Sequence, residues 1–172
     1  MAAQAAHACR PATLLCAALA SGRGPIYVEN TDVARFVLTT LAEDAMTKET
    51  RTDLWVQEVG HYVWTIEHVL PQGAHLPAAW IEMLGGAAAA AEAHEVEVHR
   101  LGNLTITAYN RTLSNKSFPD KRERVDSAGR FIGYRNGLSL NSSLAAKESW
   151  TVPDIDARTD ELASAVIGRL PL

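Results

Sequence analysis

Cysteine is scarce in this chain, and several features that would decide its class are missing. Cys9 and Cys16 are the only cysteines among 172 residues, and no Cys-x-x-Cys pair occurs. A four-thiolate zinc site and a disulfide framework are therefore excluded, and a cytoplasmic location is expected. No apolar run approaches the length that crosses a membrane, so no membrane partner is expected. A Gly-x4-Gly-Lys-Ser/Thr phosphate loop is also missing.

Positive charge is not in excess overall, but it is concentrated in one segment. The net charge is −4 and the sequence pI is about 5.8. From position 111 to position 135, however, seven basic residues stand against three acids, which gives a local charge of +4. Such a segment suits a polyanion such as DNA, because Lys and Arg contacts to phosphate dominate affinity. On charge alone, a solvated surface explains the segment equally well.

Helix-like and strand-like patterns alternate along the chain, which predicts an α+β fold. A helical pattern over 3–20 is broken by glycine and proline at 21–25, so residues 1–29 are expected to form an N-terminal helical extension or linker. Residues 30–172 are expected to form the main domain. Asn30 or Thr31 has the character of a helix N-cap and predicts a helix to about residue 46. Thr151 begins a similar pattern for a closing helix.

The segments between these two helices are shorter. Strands are predicted where β-branched and aromatic residues cluster, at 62–67, 96–101 and 104–107. Short helices are predicted at 52–59, 78–84, 87–95 and 109–116.

An acid–histidine pair at the end of the first strand, followed by two asparagines, is the strongest chemical signal. Phosphodiester cleavage with a metal needs a neutral imidazole to deprotonate water and hard oxygen ligands for a divalent cation. This predicts His68 as the general base and Glu67 with Asn110 as ligands of Mg²⁺ or Mn²⁺. Asn103 is predicted to support catalysis, because its amide can bond the loop backbone and hold His68 in a productive rotamer.

Each of these residues also has a purely structural interpretation. A lone histidine after a strand is more often hydrogen-bonded than catalytic, and an asparagine beside a glycine, such as Asn103, is often a turn residue. Asn110 has the character of a helix cap, and Asn115 would replace it as ligand if the helix started later.

The order of the motifs resembles the HNH (ββα-metal) nucleases. It is most similar to the C-terminal domain of GmrSD-type, modification-dependent restriction enzymes and of their phosphorothioate-sensing phage-defence relatives. The similarity rests on these segments: Ile66-Glu67-His68-Val69-Leu70-Pro71-Gln72, His99-Arg100-Leu101-Gly102-Asn103-Leu104-Thr105, Tyr109-Asn110, Leu113-Ser114-Asn115-Lys116-Ser117-Phe118, Lys121-Arg122, and Trp150 with Ile155 and Arg158.

The resemblance implies a ββα-metal (HNH) finger embedded in a mostly helical domain. It implies a DNA-nicking endonuclease of a restriction or antiviral system that leaves 5′-phosphate and 3′-hydroxyl ends. Lys116 and Lys121 would contact DNA phosphates, together with Arg100 and Arg122.

Full-length relatives carry an N-terminal ParB-like nucleotidase and sensor domain, which is the expected partner. Its Asp-Gly-Gln-Gln-Arg motif is absent here, so sensing is not inferred for this chain. A non-catalytic nucleic-acid-binding or partner-docking module and an RNase remain the alternatives.

Overall fold

Short helices surround two small antiparallel sheets in a computed structural model that describes residues 24–169. This mixture confirms the predicted α+β class, while the predicted helix over 3–20 lies outside the described residues. The helices are α1 (Ile26–Glu29), α2 (Thr31–Asp44), α3 (Ala78–Met83), α4 (Ala87–Glu97), α5 (Asn110–Leu113), α6 (Phe118–Arg122), α7 (Ser142–Ala145) and α8 (Val152–Ile167), with 3₁₀ turns at Leu101–Asn103 and Ser139–Asn141. The strands are β1 (Gln57–Glu58), β2 (His61–Tyr62), β3 (Thr65–His68) and β4 (Leu104–Thr107).

Helix α2 begins and is buried as the sequence predicts. The Asn30 side chain accepts a hydrogen bond from the Val33 amide at 3.0 Å, which satisfies one of the free donors of the first turn. Its apolar residues recur at helical spacing, so Val37, Leu38 and Leu41 share one buried face. This face packs against β4 and the closing helix.

Strands β3 and β4 form an antiparallel pair, although 35 residues separate them in the sequence. They run antiparallel, with Thr65 opposite Thr107 and His68 opposite Leu104. All four residues of β4 are buried, and α5 follows the strand after two residues. The chain therefore presents two paired strands and then a short helix.

Helix α8 holds strand β4 and the turn before it in place through hydrogen bonds from Arg158. It starts with a capping box between Thr151 and Asp154. Arg158 is buried and donates to the carbonyls of Gly102 at 2.6 Å and Leu104 at 2.7 Å. A Cβ at Gly102 would lie 2.1 Å from the Ile155 carbonyl oxygen, so only glycine permits this approach.

The apolar core has two parts on either side of β3. One lies around α2, β4 and α8 and includes Val37, Leu38, Leu104, Ile106 and Leu162. The other lies around α3, α6 and the loop after β3 and includes Val69, Leu70, Trp80, Phe118, Tyr134 and Trp150. The end of β3 is thereby held between two packed clusters.

Two predicted elements are wrong. The strand expected over 96–101 is the end of α4 followed by a 3₁₀ turn. The helix expected over 52–59 is replaced by the β1–β2 hairpin, whose turn places Val59 and Gly60 at positive φ. Both errors concern short segments whose local composition does not distinguish a helix from a strand.

The boundary after residue 29 stays a prediction. Ile26 of α1 is nevertheless buried in the first core cluster. Within residues 24–169, no helix combines the length and hydropathy that crossing a bilayer requires.

Candidate active site

A cleft of about 500 Å³ lies between β3 and the segment 110–115. It brings together three residues that the sequence predicts for one site, namely Glu67, His68 and Asn110. Asn115, the alternative ligand, lines the same cleft. These side chains lie up to 48 positions apart in the sequence, and the pairing of β3 with β4 is what brings them together.

His68 is enclosed by aromatic neighbours and has only 7% of its surface exposed. Its ring meets Tyr27 edge-on at 4.6 Å, and its Nε2 lies 3.3 Å from Nδ1 of His99. Burial lowers the pKa of His68 to about 3, and the nearby His99, Lys121 and His94 act in the same direction. The imidazole is therefore neutral at neutral pH. The contact of its Nε2 with His99 orients the ring, and its Nδ1 has no hydrogen-bond partner among the described residues.

Glu67 is held by a buried ion pair. Its Oε1 accepts hydrogen bonds from Lys121 Nζ at 2.7 Å and from the Tyr134 hydroxyl at 3.3 Å, whereas Oε2 accepts none within residues 24–169. Lys121 also donates to the carbonyls of His68 and Val69 at 2.7 and 3.1 Å. Burial raises the pKa of Glu67 and lowers that of Lys121, while their mutual attraction opposes both shifts.

The prediction that Lys121 contacts DNA phosphate is wrong. Its side chain has no exposed surface, and its ammonium group makes three hydrogen bonds inside the protein. Lys121 instead orients the Glu67 carboxylate.

Two amide side chains face the cleft from the opposite wall. Asn110 Nδ2 donates to the Ile66 carbonyl at 2.7 Å and to Thr65 Oγ1 at 3.2 Å, which leaves its Oδ1 without a donor among the described residues. Asn115 is exposed and lies against Gly73, where a Cβ would come within 2.8 Å of its amide. Both oxygens remain candidates for the second ligand.

These donors fit magnesium or manganese better than zinc. Residues 24–169 contain no group of three or more His, Cys, Asp or Glu side chains that could hold a metal. A single carboxylate with amide oxygens is nevertheless a usual protein contribution for Mg²⁺, which retains waters and shares oxygens with a bound phosphate. Glu67 with Asn110 or Asn115 would therefore hold a cation that the substrate helps to bind.

Asn103 does not line the cleft, and its amide bonds the backbone of the loop after His68, as predicted for a supporting residue; its effect on catalysis stays a prediction. It is fully buried and makes four hydrogen bonds. Its Oδ1 accepts from the Leu70 amide at 2.8 Å and Trp150 Nε1 at 3.2 Å, and its Nδ2 donates to the carbonyls of Leu70 and Val98. It holds the loop that follows His68.

Replacing Asn103 by alanine is expected to lower the free energy of unfolding by at least about 3 kcal/mol. The change leaves two buried donors and two buried carbonyls without partners, and each such group costs about 1–3 kcal/mol. Urea denaturation followed by tryptophan fluorescence measures the loss. Asn115→Ala is the matched control, since that side chain is exposed. Equal midpoints for the two variants would contradict the assigned role.

Two of the predicted phosphate contacts are engaged elsewhere. Arg100 is buried and forms ion pairs with Glu97 at 2.6 Å and Asp156 at 2.5 Å, so the prediction that it binds DNA is wrong. Arg122 pairs with Glu148 at 2.8 Å and does not line the cleft. The acids neutralise both guanidinium groups.

Lys116 and Arg111 are the remaining cations near the cleft. Lys116 is exposed beside Asn115, as a phosphate contact requires. Arg111 is exposed, lines the cleft and has no ion pair within the described part of the chain, yet it was not predicted as a site residue. Its position directly after Asn110 was the available signal.

Replacing Arg111 and Lys116 together by glutamine is expected to weaken DNA binding and to reduce the slope of log K against log salt by about two. Each lost phosphate contact removes about one released counterion. Fluorescence anisotropy with a labelled duplex at several salt concentrations measures the slope. Arg124→Gln, an exposed cation that does not line the cleft, is the control. An unchanged slope in the double variant would remove both residues from the binding surface.

Comparison with known proteins gives a family match. The family model described as GmrSD restriction endonucleases, C-terminal domain, matches residues 19–165. No curated protein and no solved structure matches the chain.

Proposed function

Because the chain belongs to the family of GmrSD restriction endonuclease C-terminal domains, we propose that it is a metal-dependent, strand-nicking DNA endonuclease of the HNH type. The observation that carries the proposal is the convergence of Glu67, His68 and Asn110 on one cleft. The paired strands β3 and β4 with α5 behind them would then be the ββα-metal finger.

In the proposed reaction, a water molecule attacks the phosphorus atom. His68 accepts its proton, and the bond from phosphorus to the 3′ oxygen breaks, which leaves a 5′-phosphate and a 3′-hydroxyl after that oxygen gains a proton from water. The contact of His68 with His99 fixes the imidazole orientation, so that Nδ1 is the nitrogen that meets the water. Arg111 and Lys116 would bind the phosphates on either side.

A cation would be held by Glu67 and by Asn110 or Asn115. When bound, Mg²⁺ or Mn²⁺ supplies positive charge that stabilises the phosphate and the departing oxygen. Lys121 keeps the Glu67 carboxylate aimed at this position by bonding its other oxygen.

The acidic net charge of −4 argues that targeting comes from elsewhere. A chain with few free cations near its cleft binds DNA weakly by itself. As the family resemblance implies, the proposed partner is a ParB-like nucleotidase and sensor domain N-terminal to this region, which would deliver the nuclease domain to modified DNA in the cytoplasm.

Nicking of supercoiled plasmid in the presence of Mg²⁺ or Mn²⁺ tests the proposal. We expect conversion to the open circular form, suppressed by EDTA and restored by excess cation. RNA of matched length digested in parallel distinguishes an RNase, which would degrade RNA and leave the plasmid intact. Supercoiled plasmid that persists with every divalent cation would rule out the proposal.

The burial of His68 favours a second candidate function, a non-catalytic nucleic-acid-binding or docking module on the same scaffold. With 7% of its surface exposed, the imidazole meets little solvent in this conformation. This alternative predicts DNA binding with no strand breakage under any cation, and His68→Ala would leave that binding unchanged.

A further inference from the structure

A second, larger cavity of about 740 Å³ lies next to the proposed active-site cleft. Three aromatic side chains line it, namely Trp64, Tyr109 and Phe131. Tyr109 and Phe131 are 43% and 40% exposed, so part of each ring is accessible to a ligand. The cavity is therefore built with aromatic surface directed to solvent.

At two points in the chain, consecutive residues line the two cavities. Trp64 lines the larger cavity and the next residue, Thr65, lines the cleft. Likewise, Tyr109 lines the larger cavity and Asn110 lines the cleft. From Trp64 to His68 the strand spans about 13 Å, or roughly four steps of a DNA strand in a duplex. A nucleic-acid strand cut near His68 would pass the larger cavity within a few nucleotides.

Charge distinguishes this cavity from the cleft. Arg130 pairs with Asp126 at 2.7 Å, and both line the cavity. Arg135 pairs with Glu123 at 2.8 Å and stacks on Phe131 at 4.4 Å. The cations here are neutralised by carboxylates, so they do not select for phosphate.

The polar part of the lining offers hydrogen bonds instead. Thr52 and Ser139 contribute hydroxyls, and Thr47 and Thr50 contribute two more that bond each other at 3.3 Å. Asn136 contributes an amide whose oxygen accepts from the Leu138 amide at 3.0 Å and from Asn141 Nδ2 at 3.2 Å. Neutral donors and acceptors beside aromatic faces are what a nucleobase edge and ring require.

We propose that this cavity binds an unpaired nucleobase of the strand that is cut in the neighbouring cleft. Stacking on Tyr109 or Phe131 would hold the base, and the hydroxyls would contact its edge. The inference rests on the proposed function for the identity of the ligand as a nucleic acid. It predicts that single-stranded or locally opened DNA binds better than a closed duplex.

Binding of short fluorescent single strands to the His68→Ala protein tests this without cleavage. Two double variants combine His68→Ala with Phe131→Ala or with Tyr109→Ala. Their affinity for the single strands should fall about five- to hundredfold, because base–aromatic stacking contributes about 1–3 kcal/mol per base. Phe36→Ala is the matched control, since Phe36 is 48% exposed and does not line the cavity. Circular dichroism verifies that each variant is folded.

A scan on the nucleic-acid side makes the test independent of variant folding. Strands with a single abasic position, moved along the sequence, should show one position at which affinity drops by a similar factor. That drop should vanish in Phe131→Ala.

Affinity that is insensitive to both aromatic variants and to every abasic position would overturn the inference. If single strands bind and Arg111→Gln weakens them while the aromatic variants do not, the cavity proposal fails and the cleft proposal stands. If plasmid is never nicked, but affinity drops at one abasic position and this drop vanishes in Phe131→Ala, the nuclease proposal fails and the base-site proposal stands.

Discussion

His68→Ala is expected to reduce plasmid nicking by about 10²–10⁴-fold while the protein remains folded. Removal of a general base costs about this much, because water must then lose its proton without a positioned acceptor. The neighbouring imidazole of His99 does not line the cleft, so it is not placed to accept the proton instead. Initial rates of open-circle formation at saturating Mg²⁺ or Mn²⁺ measure the effect.

His61→Ala is the control for this variant. His61 is an exposed histidine on β2 that does not line the cleft. It should cleave at the wild-type rate and have an unchanged circular dichroism spectrum. Equal rates for wild type, His61→Ala and His68→Ala would mean that the observed nicking is a contaminant or proceeds without His68.

Lys121→Met is expected to lower the free energy of unfolding by about 3–5 kcal/mol at neutral pH. Methionine fills most of the lysine volume but leaves the Glu67 carboxylate buried without its counter-charge, and breaking a buried pair typically has this cost. Lys116→Met, at an exposed neighbouring position, should change stability little. Urea denaturation of both variants provides the comparison.

The pH dependence of the Lys121→Met deficit separates lost charge from lost packing. Without Lys121, the pKa of buried Glu67 rises further above its unfolded value of about 4.3, since burial already raises it. Below that unfolded value the group is protonated in both states, and the deficit is small. As the pH rises from the unfolded value to the raised folded pKa, the deficit should grow, and above the folded pKa it should stay constant. Adding Glu67→Gln should recover part of the loss at pH 8, and a pH-independent deficit would indicate a packing defect.

The elements with clear local signals could be predicted from the sequence. The Asn30 cap, the helix that follows it, strand β4 and the capped closing helix all lie where the pattern placed them. In each, a cap or a regular apolar repeat agrees with the burial that tertiary packing later imposes. The spacing of Glu67, His68 and Asn110 was sufficient to propose a common site.

The function of the basic residues could not be predicted in the same way. Lys121 and Arg100 resemble surface cations in the sequence, yet each is buried against an acid. The partner of Lys121 lies 54 positions away, and no local pattern reveals a pairing that depends on where α6 crosses β3. Arg111, by contrast, has no acidic partner within residues 24–169 and lines the cleft.

Glu67 and His68 are consecutive in β3 and both line the cleft, but their other partners differ: Glu67 bonds Lys121, whereas His68 packs on Tyr27. Deleting or inserting one residue between Trp64 and Glu67 would exchange their surroundings, because alternation along a strand has a period of two. The imidazole would enter the lysine pocket and the carboxylate would face the aromatic cluster. Length variation in homologous chains should accordingly be tolerated in the loops on either side of this strand and rejected within it.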